Sequence, residues 1–113
     1  CIRIFKRRKP DFLTNVLPRS FPRGQSIEIF NSKIYKINFN KIKKRKDLEH
    51  VTTFFYTHKK KFNFVNIQND KNLSKKSMCI DFPNDLKIAK KVLNNLDKSM
   101  LIKHWKRYIK KFK

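Results

Sequence analysis

The spacing of apolar residues changes along this chain, from every second residue to every third or fourth and back. That change restricts the fold more than any other feature. "SIEIF", residues 26–30, alternates and is β-branched, which predicts a strand with Ile27 and Ile29 on one face and Ser26 and Glu28 on the other. "DFLTNVL" (11–17) reads as a short buried strand, "NFVNIQ" (63–68) alternates, and "SMCID" (77–81) reads as a further strand. Helical spacing takes over between them. Residues 2–9 read as the end of a basic helix stopped by Pro10. "DLEHVTTFFYTHKKKF" (47–62) places Leu48, Val51 and Phe55 on one helical face, with Asp47 as its N-cap. Residues 84–96 repeat Leu86, Ala89, Leu93 and Leu96 at helical intervals, widened by Val92. Residues 31–46 fit either state: Asn31 or Ser32 suits a helix cap, while the Asn and β-branched content weighs against a helix. Strands alternating with helices predict an α/β fold rather than an all-helical basic protein.

A chain of 113 residues is one domain or part of one. The 39% hydrophobic content supplies a core and excludes global disorder. The chain opens on Cys1, inside a helical pattern, so we expect the carboxy-terminal piece of a longer protein. We expect one domain over residues 1–98 and a basic amphipathic helix over 99–113. In that helix Leu101, Trp105, Tyr108 and Phe112 oppose the lysines, a face suited to docking on the sheet or on a second copy in a homodimer. Cys1 and Cys79 have no metal-ligand or redox-pair spacing, which fits free thiols in a reducing, cytoplasmic setting. No apolar stretch approaches the roughly 20 residues that span a bilayer, so no membrane role is expected.

The net charge of +22 points first to nucleic acid or an anionic surface. Two facts reduce its weight. Lys outnumbers Arg 23 to 7, whereas base and phosphate readers favour Arg. Lys, Ile, Asn, Phe, Tyr and Met, all with A- and T-rich codons, make up 62 of the 113 residues, as coding bias alone would produce. A basic nucleic-acid-binding module is therefore the second reading. The aromatic residues fall at core spacing rather than as exposed stacking platforms. A single glycine, Gly24 in the loop "PRSFPRG" (18–24), leaves no glycine-rich phosphate cradle anywhere in the chain.

Against this basic background two carboxylates stand close together in "IDFPNDLKIAKKVL". Pro83 suits the first position of a helix, which makes Asp85 the third, facing the positive end of the helix dipole. Asp81 ends the expected strand, and in open α/β sheets ligands bind outside the carboxyl ends of strands. There it suits a hard cation such as Mg²⁺. It equally suits a loop carboxylate or a displaced cap, and spacing alone does not choose. Arg19, in the proline-rich loop, has the fork geometry to clamp a carboxylate. His50 is a packing or surface histidine unless a ligand claims it, and His58 and His104 have no partners at metal spacing.

These segments resemble the cytidylyltransferases that activate acidic sugars: the spore coat polysaccharide biosynthesis protein F family and the acylneuraminate and Kdo cytidylyltransferases. "IDFPNDLKIAKKVL" is similar to V-D-T-P-E-D-L-x-x-(A/V)-x-x-(I/L). "DFLTNVLPRSFPRGQSIEIF" is similar to Y-x-S-N-x-L-P-R-T-(Y/F)-P-x-G-L-D-V-E-V-F, and "LEHVTTFFYTHKKKFNFVNI" to R-E-H-V-T-P-Y-(I/F)-Y-x-x-P-x-x-F-x-(L/I)-x-N. The three segments keep the family's order. The resemblance implies the carboxy-terminal part of a glycosyltransferase-A-like, Rossmann-type nucleotidyltransferase domain. It implies transfer of CMP from CTP to a sugar or sugar acid for surface polysaccharide biosynthesis, with Mg²⁺. On it, Asp81 matches the metal-binding aspartate, Arg19 and Glu28 match the sugar-side pocket, and Glu49 and His50 match the E-H-V-T segment. Two residues depart from the pattern: Ser26 stands where the family has Asp, and Phe82 where it has Thr. The family's phosphate loop belongs to an amino-terminal half, so this chain alone is expected to be inactive.

Overall fold

The structure is a computed structural model, and it describes residues 1–94; the amphipathic helix expected over 99–113 lies outside them. The chain divides into two compact units, Cys1–Pro18 with Ile27–Gln68, and Arg19–Ser26 with Asn69–Lys113.

The first unit is built around three short strands, β1 (Phe12–Thr14), β2 (Glu28–Phe30) and β3 (Phe64–Asn66). Their order is β2-β1-β3, with β1 antiparallel to β2 and parallel to β3. Register puts Phe12 opposite Phe30 on one side and Phe64 on the other. The three rings form a ladder across the sheet at 5.6 and 5.0 Å. Cross-strand aromatic pairs of this kind stabilise short strands that backbone pairing alone would leave marginal. Leu13, on the opposite face of β1, is fully buried as well, so this strand is covered on both sides.

Helices complete the unit. The first, α1 (Ile2–Arg8), ends as expected before Pro10: Lys9 takes a left-handed conformation and donates its N–H to the Phe5 carbonyl. The ambiguous segment resolves into α2 (Ser32–Asn38), because Asn31 Oδ1 accepts the Lys33 N–H at 3.0 Å. A 3₁₀ turn at Phe39–Lys41 follows. Next come α3 (Arg45–Glu49), α4 (Thr53–Thr57) and a second 3₁₀ turn, Lys59–Lys61. Phe12, Ile42, Phe54 and Phe55 form the core, with Phe30, Ile34, Tyr35, Phe62 and Phe64 packed against it. Phe12 and Phe55 lie 4.6 Å apart, centroid to centroid.

The single helix expected over 47–62 is therefore two helices with a break. His50 is extended (φ −121°, ψ 102°) and ends α3. Val51, Thr52 and Thr53 are three β-branched residues in succession, each stiff at χ1 and crowded against a preceding helical turn. The break resets the helical phase, so Leu48 and Val51 are exposed while Phe54 and Phe55 are buried. Asp47 is not the cap; it is the third residue of α3, and the cap position falls on Lys44.

In the second unit, the loop 19–26 runs beside the segment that follows residue 69. "SMCID" is not a strand. It makes one parallel bridge, Arg23 to Ser77, closed by Arg23 N–H to the Lys76 carbonyl (2.9 Å) and Met78 N–H to the Arg23 carbonyl (2.8 Å). The ladder stops there for two reasons: Pro22 has no N–H, and Gly24 turns the chain out of extended conformation at φ +90°. A Cβ at Gly24 would sit 3.0 Å from the Met78 carbonyl carbon, so no other residue fits without a backbone shift. After this segment, α5 (Pro83–Asn94) begins at Pro83 and buries Ala89 and Val92.

Candidate functional site

In the first unit, β1 and β3 run parallel, so Thr14 and Asn66 lie at their carboxyl ends, and antiparallel β2 sets Glu28 beside Thr14. This is the rim of an α/β sheet where ligands bind. The side chains there form a directed chain of hydrogen bonds. Tyr56 donates its hydroxyl proton to Glu28 Oε1. With that proton committed, the 2.9 Å contact between Thr14 Oγ1 and Tyr56 Oη has Thr14 as donor. Thr14 Oγ1 in turn accepts the Val16 N–H at 3.3 Å. Thr52 Oγ1 donates to Glu28 Oε1 at 3.1 Å. The Glu28 carboxylate is exposed yet held by two hydroxyls, one of them anchored through a threonine that is 1% exposed.

Thr52 belongs to the E-H-V-T segment, so the fold joins that segment to Glu28 through a hydrogen bond. His50, two residues earlier, is exposed, and its ring makes no hydrogen bond among the described residues. It stands in the break between α3 and α4, not inside the single helix expected over 47–62.

In the second unit, Arg19 is half-buried. Its Nη2 donates to Ser26 Oγ at 3.0 Å and its Nη1 to the Pro22 carbonyl at 3.5 Å. Both acceptors are neutral, and Ser26 is the position where the resembling family carries Asp. The guanidinium charge therefore has no counter-charge among the described residues, which favours an anionic ligand. Asp81 lies four residues beyond the Arg23–Ser77 bridge, in an irregular segment rather than at a strand end. No hydrogen bond joins it to Arg19.

The two neighbouring carboxylates have separate environments. Asp85 Oδ2 accepts the Phe82 N–H at 2.9 Å and the Asp81 N–H at 3.2 Å. It is the third residue of α5 reaching back to the N–H groups before the helix, half of a capping box. This supplies the cap that Phe82 lacks. Asp81 is exposed, and its carboxylate makes no hydrogen bond among the described residues. Among the described residues no group of three or more His, Cys, Asp or Glu is arranged to hold a metal. Mg²⁺ does not need one: it keeps waters and takes one or two carboxylates beside substrate phosphates. A free carboxylate whose own backbone N–H is pinned by its neighbour fits such a single-donor role.

Thr14, Thr52 and Tyr56 went unnoticed at the sequence level. A signal existed for one of them: Thr14 and Asn15 are adjacent polar residues inside an apolar strand, and polar groups buried there need partners. Asn15 Oδ1 accepts the Ile27 N–H at 2.8 Å and extends the β1–β2 pairing. Tyr56 carried no such signal, because only the broken helix turns it to the rim. Among the described residues no helix is long and apolar enough to cross a membrane.

No known family model matches the chain, and no curated protein matches it. Among solved structures it is similar to a cytidylyltransferase from Leptospira borgpetersenii serovar Hardjo-bovis (strain JB197), with a TM-score of 0.76 and 24% identity. The match covers 94% of this chain and 48% of the neighbour, so the chain spans about half of that protein's length. At this identity the likeness is one of fold, a mixed α/β architecture.

Proposed function

We propose that this chain is the carboxy-terminal half of a glycosyltransferase-A-like nucleotidyltransferase that moves CMP from CTP to a sugar or sugar acid for surface polysaccharide biosynthesis. The observation that carries the reading is the fold likeness to a cytidylyltransferase over 94% of the chain. The three ordered sequence segments support it independently. CTP and the sugar are the partners, and a reducing cytoplasm is the setting.

In this reading Arg19 orients an anionic group of the acceptor, because its charge is otherwise uncompensated. Glu28 accepts from a sugar hydroxyl; a carboxylate has about four lone-pair sites, and Tyr56 and Thr52 leave capacity over. Holding Glu28 beforehand removes the ordering cost of the side chain at binding. His50 offers an exposed ring nitrogen on the acceptor side. Asp81 would hold Mg²⁺, which when bound offsets charge on the phosphates and the leaving pyrophosphate. Ser26 in place of Asp alters the acceptor contact and with it the choice of sugar. Phe12, Phe55 and Phe64 pack on one another in the core of the first unit, so these rings are not stacking platforms for nucleic acid.

The test is release of pyrophosphate from radiolabelled CTP across a panel of sugars and sugar acids. The chain alone is expected to show no turnover, since the phosphate cradle is missing. Joined to the amino-terminal half of the Leptospira enzyme, it is expected to turn over, and Asp81→Ala or Arg19→Ala to abolish that. Turnover that ignores both substitutions would sink the proposal.

A further inference from the structure

A cavity of about 300 Å³, wholly within the first unit, takes no part in the reading above. Its wall carries Lys41, Lys44 and Lys61, its apolar side is Phe54 and Phe62, and Asp47 lines it too. Asp47 is the informative residue. The residue as a whole is 8% exposed, but its carboxylate oxygens are not sealed from solvent, and they make no hydrogen bond or ion pair among the described residues. A carboxylate at a cavity wall with its lone pairs unused is a ready acceptor for a ligand's N–H or O–H. The three lysines share the cavity but none closes on it. Lys41 instead donates to Asn38 Oδ1 at 3.2 Å. His58, also on the wall, stacks on Phe54 at 4.5 Å and commits Nδ1 to the Phe54 carbonyl at 2.8 Å, leaving Nε2 unengaged by that bond.

A ligand that satisfies this wall has three parts: an anionic group for the ammoniums, a flat ring for the phenylalanine side, and an N–H or O–H donor for Asp47. The volume stands at the lower end of the roughly 300–1,000 Å³ that small-molecule sites occupy, which admits one ring and one phosphate. We propose that the cavity bounded by Lys41, Lys44, Asp47, Phe54, Lys61 and Phe62 binds a ring-bearing organic monophosphate with a hydrogen-bond donor, of mononucleotide size. The lysines supply attraction for any anion; Asp47 supplies selectivity, because a ligand without a donor displaces water from its carboxylate without replacing that hydrogen bond. The site does not depend on the transferase reading.

The test is titration of the full 113-residue chain with AMP, CMP, phenyl phosphate and inorganic phosphate, followed by amide chemical shifts. AMP or CMP is expected to bind saturably, at least about tenfold more tightly than inorganic phosphate, with shifts centred on residues 41–47 and 54–62 (each 1.4 kcal/mol being tenfold). Lys44→Ala combined with Lys61→Ala, both exposed positions, should weaken binding about tenfold or more, whereas Lys59→Ala with Lys60→Ala, outside the cavity, should not. Asp47→Asn should narrow the preference for AMP over phenyl phosphate several-fold, since charge-assisted bonds are about twice as strong as neutral ones. Equal affinity for inorganic phosphate, equal loss from the Lys59 and Lys60 changes, shifts confined to other residues, or no saturation at millimolar ligand would each overturn the proposal.

Discussion

The two compact units are each held together internally by different physics, and each carries its own candidate functional residues. The first has a dense aromatic core: Phe12 meets Phe30, Phe55 and Phe64 within 5.6 Å, and Glu28 at the rim inherits its position from that packing through Tyr56. The second positions Arg19 and Asp81 with backbone hydrogen bonds, one β-bridge and a glycine. Packing resists change because every neighbour of a ring must move with it. A backbone bridge resists change only while the chain keeps the one conformation that forms it. The first unit should therefore fail by loss of volume, and the second by loss of conformational freedom or of a cap.

Phe12→Ala tests the first half of that contrast and carries the largest expected effect. It removes the ring common to the aromatic contacts of the sheet and core, at a cost of about 3–5 kcal/mol. A shift of the urea midpoint by less than about 1 kcal/mol equivalent would show that the ladder is not what holds this unit. Gly24→Ala is the matching test in the second unit. The positive φ alone costs roughly 1–2 kcal/mol, and the close approach to Met78 adds to it. Hydrogen exchange of the Arg23 and Met78 amides should accelerate with it; unchanged exchange would mean that the bridge does not depend on the glycine.

The smaller effects separate the two neighbouring aspartates. Asp85→Ala removes the acceptor for the Phe82 N–H and should cost about 1 kcal/mol, with fraying at the start of α5 visible in amide exchange. Asp81→Asn should change stability by less than about 0.5 kcal/mol, because its carboxylate supports nothing in the fold. If Asp81→Asn destabilised the chain as much as Asp85→Ala, Asp81 would be a structural carboxylate and its proposed metal role would lose its basis. Stability unchanged with CMP transfer lost, in the joined enzyme, is the outcome expected of a ligand-binding group.

Much of the local structure was legible in the residues. Pro10 marks the end of α1, and Pro83 with Asp85 opens α5, each through a local rule that needs no tertiary context, whereas Asn31 was one of two cap candidates in a segment that fitted either state. The alternating segments became β2 and β3. Two expectations failed for the same reason, that periodicity does not register backbone conformation. The apolar spacing in 47–62 continues through His50, but three β-branched residues stop the helix there. "SMCID" has strand composition, but its partner offers a proline and a turning glycine instead of a ladder.

The candidate site divides along the same line. Residue type and spacing singled out Asp81 and Asp85, whereas Arg19, Glu28 and His50 were picked out as site residues by the family resemblance. The α/β class also followed from the alternation of periods, because burial of one face dictates that period locally. Only the tertiary structure decided which carboxylate is committed and which is free, that Glu28 is held by Tyr56 and Thr52, and that Asp47 lines a cavity rather than capping a helix. Hydrogen-bond partners 24, 28 and 42 residues apart are set by how elements pack, and no local pattern encodes them.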